Sequence, residues 1–408
     1  MRSRPAGEGF GTWMRTGLPK SRYAAGMNSR PVLILLVGGL TISAVFPGGM
    51  AGTEVLGPET VEASPFNFVL LEPALIAEKA ESGETFTLPT MWGDVTVATT
   101  ARASDGVDIY HADANGNLIH DGFSIPDVWH IASPDGTMEG ILLADGLQVR
   151  ATLVTPHGRS TIEPGMDGLP TGAAQALHRM YAEEPTRPLI VAPHPQPIPG
   201  DPTPRTRGGD IGILSTITLT QAAYADNEFV SVWGSTGYDD HILYLTTWVN
   251  GYMNDVEIVY DVNDIINSDP GTDSSSAWSQ GWDWLGGQSN QGEDGRVLWS
   301  HVDYDGCTLG QALQPGDRAM LQTTDDSCHG WNVIDTDFER AFFMTHELGH
   351  NNDANHDDAW VDIDPGHTHR SFMQSSANWH PHECWSSANA DNMVNHNPGT
   401  SVQGTTCD

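Results

Sequence analysis

The sequence predicts a mixed α/β (α+β) fold built on a mostly parallel twisted sheet, with a smaller β-rich unit ahead of it. Three observations carry this. Residues 217–226, 244–252 and 256–261 alternate strand-like and helix-like apolar periodicity, an order that implies parallel strands joined by right-handed crossovers. A later helix is apolar on most of its circumference yet carries His346, Glu347 and His350 inside it. Residues 53–209 instead show short alternating runs (68–71, 95–97, 149–153) cut by Gly and Pro, the pattern of a small β-rich unit.

Residues 1–52 are expected to lie outside the fold. Arg22 and Arg30 flank a second methionine, Met27, which is a candidate true start. Residues 32–46 then form a mainly apolar run followed by small residues, with a candidate cleavage site at Gly49-Met50-Ala51. A basic start, a short apolar core and small residues after it make a secretory signal peptide, and the core is short for a membrane span. The Pro-rich stretch 194–207 (HPQPIPGDPTPRTR) reads as an exposed linker, with Arg205 and Arg207 as a processing site. The expected division is therefore 1–52 leader, 53–209 β-rich unit with its linker, and 210–408 as the domain that carries the chemistry. Residues 297–302 add one more strand to that domain.

The stretch around which that domain is organised is HELGHNNDANHD, residues 346–357. Thr336-Asp337-Phe338-Glu339 reads as a capping box that starts a helix. On that helix His346 and His350 stand four residues apart, hence one above the other. Neutral imidazoles so placed can fill two corners of a zinc tetrahedron, with Glu347 beside them as candidate general base. Asn351-Asn352-Asp353-Ala354-Asn355 is hostile to further helix. Returning His356 to the same metal requires a sharp turn through a residue with positive φ, which Asn and Asp tolerate best after glycine. Three histidines leave the fourth position of a zinc ion open for water.

HExxHxxxxxH followed directly by Asp resembles the metzincin zinc peptidases, and HELGHNNDANHD most resembles their adamalysin (reprolysin, ADAM-type) branch. The family pattern also calls for a methionine turn, which Arg370-Ser371-Phe372-Met373-Gln374-Ser375 matches. No tyrosine follows Met373 closely, so the extra tyrosine ligand of astacins and serralysins has no counterpart. Asp353 stands where the family usually has glycine. The resemblance covers nearly all of residues 210–408. It implies a metzincin-like catalytic domain with an active-site helix, an antiparallel edge strand at Thr308-Leu309-Gly310-Gln311-Ala312 above the metal, and a preceding prodomain. It further implies one zinc per chain on His346, His350 and His356, Glu347 as base, Met373 as a floor under the histidines, and Asp357 fixing the turn by hydrogen bonding. A peptide substrate would pair with Gly310, Gln311 and Ala312 by strand addition. Residues 137–164 resemble the end of an adamalysin-type propeptide. No cysteine precedes Cys307, so a cysteine thiolate cannot silence the metal; Asp210 is a candidate carboxylate for that place.

Charge narrows the partners. The chain carries a formal charge of −35 over 408 residues. From Asp210 onward, 31 acidic side chains face four arginines and no lysine, a surface that repels nucleic acid and anionic membranes. The aspartates, including Asp357, Asp358, Asp362 and Asp364, make calcium a second candidate cation. Cys307, Cys328, Cys384 and Cys407 form an even set in an exported chain, expected as two disulfides, Cys307–Cys328 and Cys384–Cys407. The expectation is a secreted zinc endopeptidase made as a precursor, acting on polypeptides, with no nucleic-acid partner and no membrane contact once the leader is gone. Oligomeric state is not legible. One rival is a zinc-bearing binding or structural protein of the same fold, against which the intact Glu347 argues. Another is an HExxH hydrolase with a downstream glutamate ligand, against which His356 and Met373 argue. His301, His329, His367, His369, His380 and His382 are read as ordinary residues.

Overall fold

Residues 67–408 are described by the computed structural model, apart from 114–115, 165–175, 183–197, 200–215, 235–236, 274, 305–307, 325–335, 358–360, 365–366, 370, 374–383, 404–405 and 407–408. In chain order the first half runs β1 (Asn67–Leu71), α1 (Pro73–Ser82), β2 (Phe86–Thr90), β3 (Gly93–Arg102), β4 (Val107–Ala112), β5 (Leu118–Ser124), β6 (Val128–Ala132), β7 (Glu139–Ala144), β8 (Val149–Thr155), β9 (Gly158–Pro164) and β10 (Ala176–Ala182). The second runs β11 (Ile198–Pro199), β12 (Ile217–Ala225), α2 (Asn227–Trp233), α3 (Tyr238–Met253), β13 (Ile258–Asn267), α4 (Trp278–Gly287), β14 (Gly295–Ser300), β15 (Gly310–Gln314), β16 (Arg318–Gln322), α5 (Asp337–Asn351), β17 (Val361–Asp364), β18 (His367–His369) and α6 (Ser387–His396). Residues 1–52, expected above as a leader, lie outside the described residues, and among the described residues no helix is long and apolar enough to cross a membrane.

The first sheet is antiparallel throughout, in the order β1-β10-β9-β8-β7-β6-β3-β2. Its strands bury Leu88, Val97, Ile131, Leu142, Leu153 and Ile162 on one side. The second sheet, β11-β15-β16-β14-β12-β13-β4-β5, is parallel from β16 through β4. β15 joins β16 antiparallel, as the sequence leads one to expect of residues 310–312. Two findings differ from expectation. β15 is not the outermost strand, because β11 of the linker pairs with it in parallel, Ile198 opposite Leu313 and Pro199 opposite Gln314. And β4, from the β-rich half, extends the second sheet by pairing in parallel with β13, Asp264 to Asn267 opposite Asp108 to His111.

Between the two sheets lies α3. A helix with one solvent face would show an apolar stripe; here 14 of 16 residues are buried, including Tyr238, Ile242, Leu245, Trp248, Val249 and Tyr252. Its partners are β13 and α5 on one side and β6 and β7 on the other. Val107, Val128, Leu143 and Tyr181 of the first half share one core with Leu219, Ile265, Phe343 and Leu348 of the second. Consistent with this, residues 62–408 form one compact unit.

Where α2, α3 and α5 meet, the core is charged. Asp337, the first residue of α5, is fully buried and is paired with Arg150 of β8 and with Arg340, whose Nη1 lies 2.9 Å from Asp337 Oδ1. His241 of α3 stacks on Trp233 at 3.8 Å, with Nε2 3.4 Å from Asp337 Oδ1. Burial resists charge on both groups. Burial raises the Asp337 carboxyl, but the neighbouring Arg150 and Arg340 guanidiniums outweigh it and hold it well below the usual range. For His241 burial, helped by Arg150, Arg340 and His301, outweighs the pull of Asp337 and keeps the imidazole neutral far below its ordinary pKa.

The signs then set the acid response. A group whose folded pKa is depressed stabilises the fold above its unfolded pKa, and that stability is lost as pH falls. Below about pH 6.5 an unfolded His241 takes up a proton that the folded one refuses, while Asp337 keeps its contribution down to about pH 4. In urea unfolding, wild type should therefore lose stability relative to His241→Gln as pH falls from about 6 to 4.5. His241→Gln should remove up to about 1.4 kcal/mol per pH unit of that slope. Parallel slopes in the two proteins would contradict the assignment.

Candidate metal centre

The helix that carries the HELGH residues starts and stops by local chemistry. Thr336 caps α5 by accepting from the Glu339 N–H at 3.2 Å, and Glu339 Oε2 accepts from the Thr336 N–H at 2.8 Å, the expected capping box. At the other end Asn352 is the C-cap and Asp353 turns left-handed, with φ +76°. The Asp353 N–H returns to the His350 carbonyl at 2.9 Å and the Ala354 N–H to the Gly349 carbonyl at 3.0 Å, a Schellman closure. The sequence expectation of a positive φ in this turn holds, and Asp353 supplies it where glycine would be freer.

This closure swings His356 back to the helix. His346 Nε2, His350 Nε2 and His356 Nε2 lie 3.0, 3.1 and 3.2 Å from one another. His346 Nδ1 lies 2.6 Å from the Phe372 carbonyl and His350 Nδ1 lies 2.8 Å from the Ala354 carbonyl. A carbonyl only accepts, so each Nδ1 carries the proton and each facing Nε2 presents a bare lone pair. Lone pairs aimed at one another across 3.1 Å repel unless a cation lies among them. A tetrahedral ion with nitrogens at about 2.0–2.1 Å would hold its ligands roughly 3.3 Å apart, close to what is seen. Among the described residues this is the one group of three or more His, Cys, Asp or Glu able to share a metal ion.

The remaining site residues gather around this triad. Glu347 is fully buried, and its carboxylate packs against Gly310 so closely that a Cβ there would sit 2.3 Å from Oε1. Gly310 is thus placed where β15 passes Glu347. Ala312 is buried in the core, and Gln311 accepts from Trp278 Nε1 at 2.9 Å. Met373 is buried with Sδ against Gly349, where a Cβ would meet it at 2.7 Å and the Trp385 ring at 3.0 Å. Asp357 is tied to the same turn: its carboxylate accepts from Ser371 Oγ, Ser371 Oγ accepts from the Met373 N–H at 3.0 Å, and the Asp357 N–H donates to the Met373 carbonyl at 2.8 Å.

Several supports were not legible. Asn389 of α6 makes a reciprocal pair with the backbone of Asn355, at 2.7 and 2.9 Å, and so pins the loop that delivers His356. Asn352 donates to the Leu348 carbonyl at 2.7 Å and to the Tyr260 hydroxyl, and is itself held by Asn397 at 3.0 Å. Gln314, at the end of β15, donates to the Ala354 carbonyl at 2.7 Å, which also receives His350. The one available signal was Gly349, the small residue between the two helix histidines. Elsewhere, His301 Nδ1 lies 3.1 Å from Thr323 Oγ1, away from the triad. Asp362, Asp364, His367 and His369 belong to the β17–β18 pair. Asp210, Asp358, His329, His380 and His382 lie outside the described residues, as do Cys307, Cys328 and Cys407. Cys384 is disulfide-bonded.

No family model matches the chain, and no curated protein matches it. Among solved structures it is similar to metalloproteinase-II from Bacteroides fragilis, with 13% identity over 81% of this chain and 94% of that one and a TM-score of 0.42. It is also similar to archaemetzincin from Methanopyrus kandleri, with 12% identity over 44% of this chain and 95% of that one and a TM-score of 0.31. A chaperone–substrate complex is matched at 11% identity and a TM-score of 0.31, over 71% of this chain and 40% of that one. Likeness this low assigns no residue, and the roles below rest on the geometry of this chain.

Two substitutions test the packing under the triad. Gly349→Ala must displace Met373 or Trp385, so it should lower unfolding free energy by about 1–3 kcal/mol and weaken metal binding, read by denaturant titration and chelator competition. Wild-type values for both would contradict the contact. Asp353→Val should cost about 1–2 kcal/mol by forcing a β-branched residue into a left-handed turn, whereas Asp353→Gly should not destabilise. A Val variant as stable as the Gly variant would rule out this turn.

Proposed function

We propose that the chain is a zinc-dependent endopeptidase of the metzincin type, closest in its HELGHNNDANHD stretch to the adamalysin (reprolysin) branch. The observation that carries this reading is the triad itself: three buried or half-buried imidazoles whose Nε2 atoms converge to 3.0–3.2 Å, beside the buried Glu347 and strand β15. His346, His350 and His356 would hold one zinc ion. Neutral nitrogen donors in a three-histidine set suit zinc, which binds them with the fourth position left to water.

Zinc, when bound, acts as a Lewis acid that lowers the pKa of water toward neutrality and polarises a carbonyl. The chain supplies the rest. Phe372 and Ala354 carbonyls lock the His346 and His350 tautomers. Glu347 takes a proton from the attacking water while that water's oxygen bonds to the scissile carbonyl carbon. It then passes the proton to the amide nitrogen as the C–N bond breaks, so the amine leaves neutral. Gly310, Gln311 and Ala312 would pair with the substrate backbone, and Gly310 would let that backbone pass close to the base. Asp357 and Ser371 keep Met373 beneath the histidines as a floor, not a ligand.

The same reading places the protein outside the cell as a precursor. The basic start and short apolar run of residues 1–52 and the bonded Cys384 are what support export. The pairing of β11 with β15 supports a linker that occupies the strand edge until it is cut near Arg205 or Arg207. Calcium has weaker support, since the Asp357 carboxylate is already engaged by Ser371.

The secreted protein should cleave an unstructured polypeptide such as casein, and a chelator should abolish that cleavage. Glu347→Ala should keep about one zinc per chain while losing activity by two orders of magnitude or more. Activity in Glu347→Ala comparable to wild type would remove Glu347 as base. Loss of zinc together with activity would make it a structural support of the site instead.

A further inference from the structure

The zinc helix begins inside the β-rich half of the protein. The first backbone N–H groups of a helix lack intrahelical acceptors and must find others. The Asp337 N–H, at the first position of α5, donates to Glu163 Oε1 of β9 at 2.7 Å. The Asp337 carboxylate pairs with Arg150 of β8. Glu163 is held in turn by Tyr181 of β10, whose hydroxyl donates at 2.6 Å, and by Arg179, whose Nη2 donates at 2.7 Å. Asp337, Arg150 and Glu163 are all buried, with at most 5% exposure. Two further contacts bind the halves: the parallel β4–β13 pairing, and the burial of α3 between the sheets, where Tyr244 meets Thr152 at 3.1 Å and Tyr252 accepts from Arg159 at 2.7 Å.

A unit built to leave after processing would meet the catalytic half through an exposed and mainly self-sufficient surface. This contact is the opposite. Departure would strip the Glu163 acceptor from the helix terminus, part Arg150 from Asp337, expose the buried face of α3 that packs on β6 and β7, and remove β4 and β5 from the second sheet. Nor is the contact remote from the chemistry. His346 lies nine residues along α5 from Asp337, roughly 14 Å down a rigid helix, so a tilt at its start is carried to the histidines.

We infer that residues 67–182 are a permanent part of the enzyme, with Arg150 and Glu163 as positioning residues that hold the start of the zinc helix. Processing in the linker then leaves two polypeptides in one particle, with β11 still attached to the retained β-rich half. The first half of this inference stands apart from the proposed peptidase activity; only its metal readout rests on the zinc site.

The test is limited trypsin digestion of the full chain at Arg205 and Arg207, followed by size-exclusion chromatography and mass spectrometry of the peak. The two pieces should co-elute one to one at the volume of the uncut protein. Elution of the piece bearing α5 without its partner overturns the inference, whether or not that piece cleaves casein. The positioning role is read by zinc release to a coloured chelator from the cut protein. Glu163→Ala should speed release on the order of tenfold, and Glu163→Gln, which still offers a carbonyl to the Asp337 N–H, should restore most of the loss. Co-elution with identical release in all three proteins removes the positioning role. If Glu163→Ala does not fold, Arg150→Lys replaces it, with faster release expected and an unchanged rate counting against the role.

Discussion

Three imidazole nitrogens facing one another within 3.2 Å constrain everything around them. His346 and His350 have their tautomers fixed by the Phe372 and Ala354 carbonyls, so no proton is available on either Nε2 to turn the repulsion into a hydrogen bond. Such an arrangement persists only if a cation joins the nitrogens or if the surroundings leave the rings nowhere else to go. The surroundings are arranged for this. The Schellman turn at Asp353, the reciprocal Asn389–Asn355 pair and the Gln314–Ala354 contact bring His356 in, while the Ser371–Asp357–Met373 turn closes the floor. Each is a polar contact that fixes backbone and thereby fixes an imidazole, the outer-shell arrangement expected of a metal site.

The same economy of space explains two glycines. Gly349 admits Met373 and Trp385 against the helix, and Gly310 admits the Glu347 carboxylate against the strand. A side chain at either position would push apart the parts the chemistry needs close together. Charge sets the other end of the helix: Arg150, Glu163 and Arg340 surround Asp337, so the helix is held at its start by the β-rich half and at its end by the triad loop.

What could be read from the sequence was whatever is decided within a few residues. The capping box at Thr336, the i, i+4 histidines and the positive φ at Asp353 are local, and each is found in the structure. Alternation marked the strands at 217–226, 256–261 and 297–302 and their mostly parallel sense, but neither β16 nor the strand order. Contacts settled by distant segments were not legible. Apolar spacing marked α3 only from Tyr244, because Asp239 and Asp240 at its start look like loop residues, yet acids suit a helix's first turn. The helix α4 was missed because Gly281, Gly286 and Gly287 lower its propensity, and its tryptophans pack into a core no local pattern announces. The placement of β4 in the second sheet depends on β13, some 150 residues later, and Asn389 acts on a loop 34 residues away. Neither has a local signature.

The most direct test of the central claim is a zinc-edge X-ray absorption spectrum of the purified full-length protein. The account predicts one zinc per chain with three imidazole nitrogens at about 2.0–2.1 Å and one further oxygen ligand. A His356→Ala protein should show one imidazole fewer. A spectrum with sulfur neighbours, an unchanged imidazole count in His356→Ala, or no zinc in a folded protein would contradict the account.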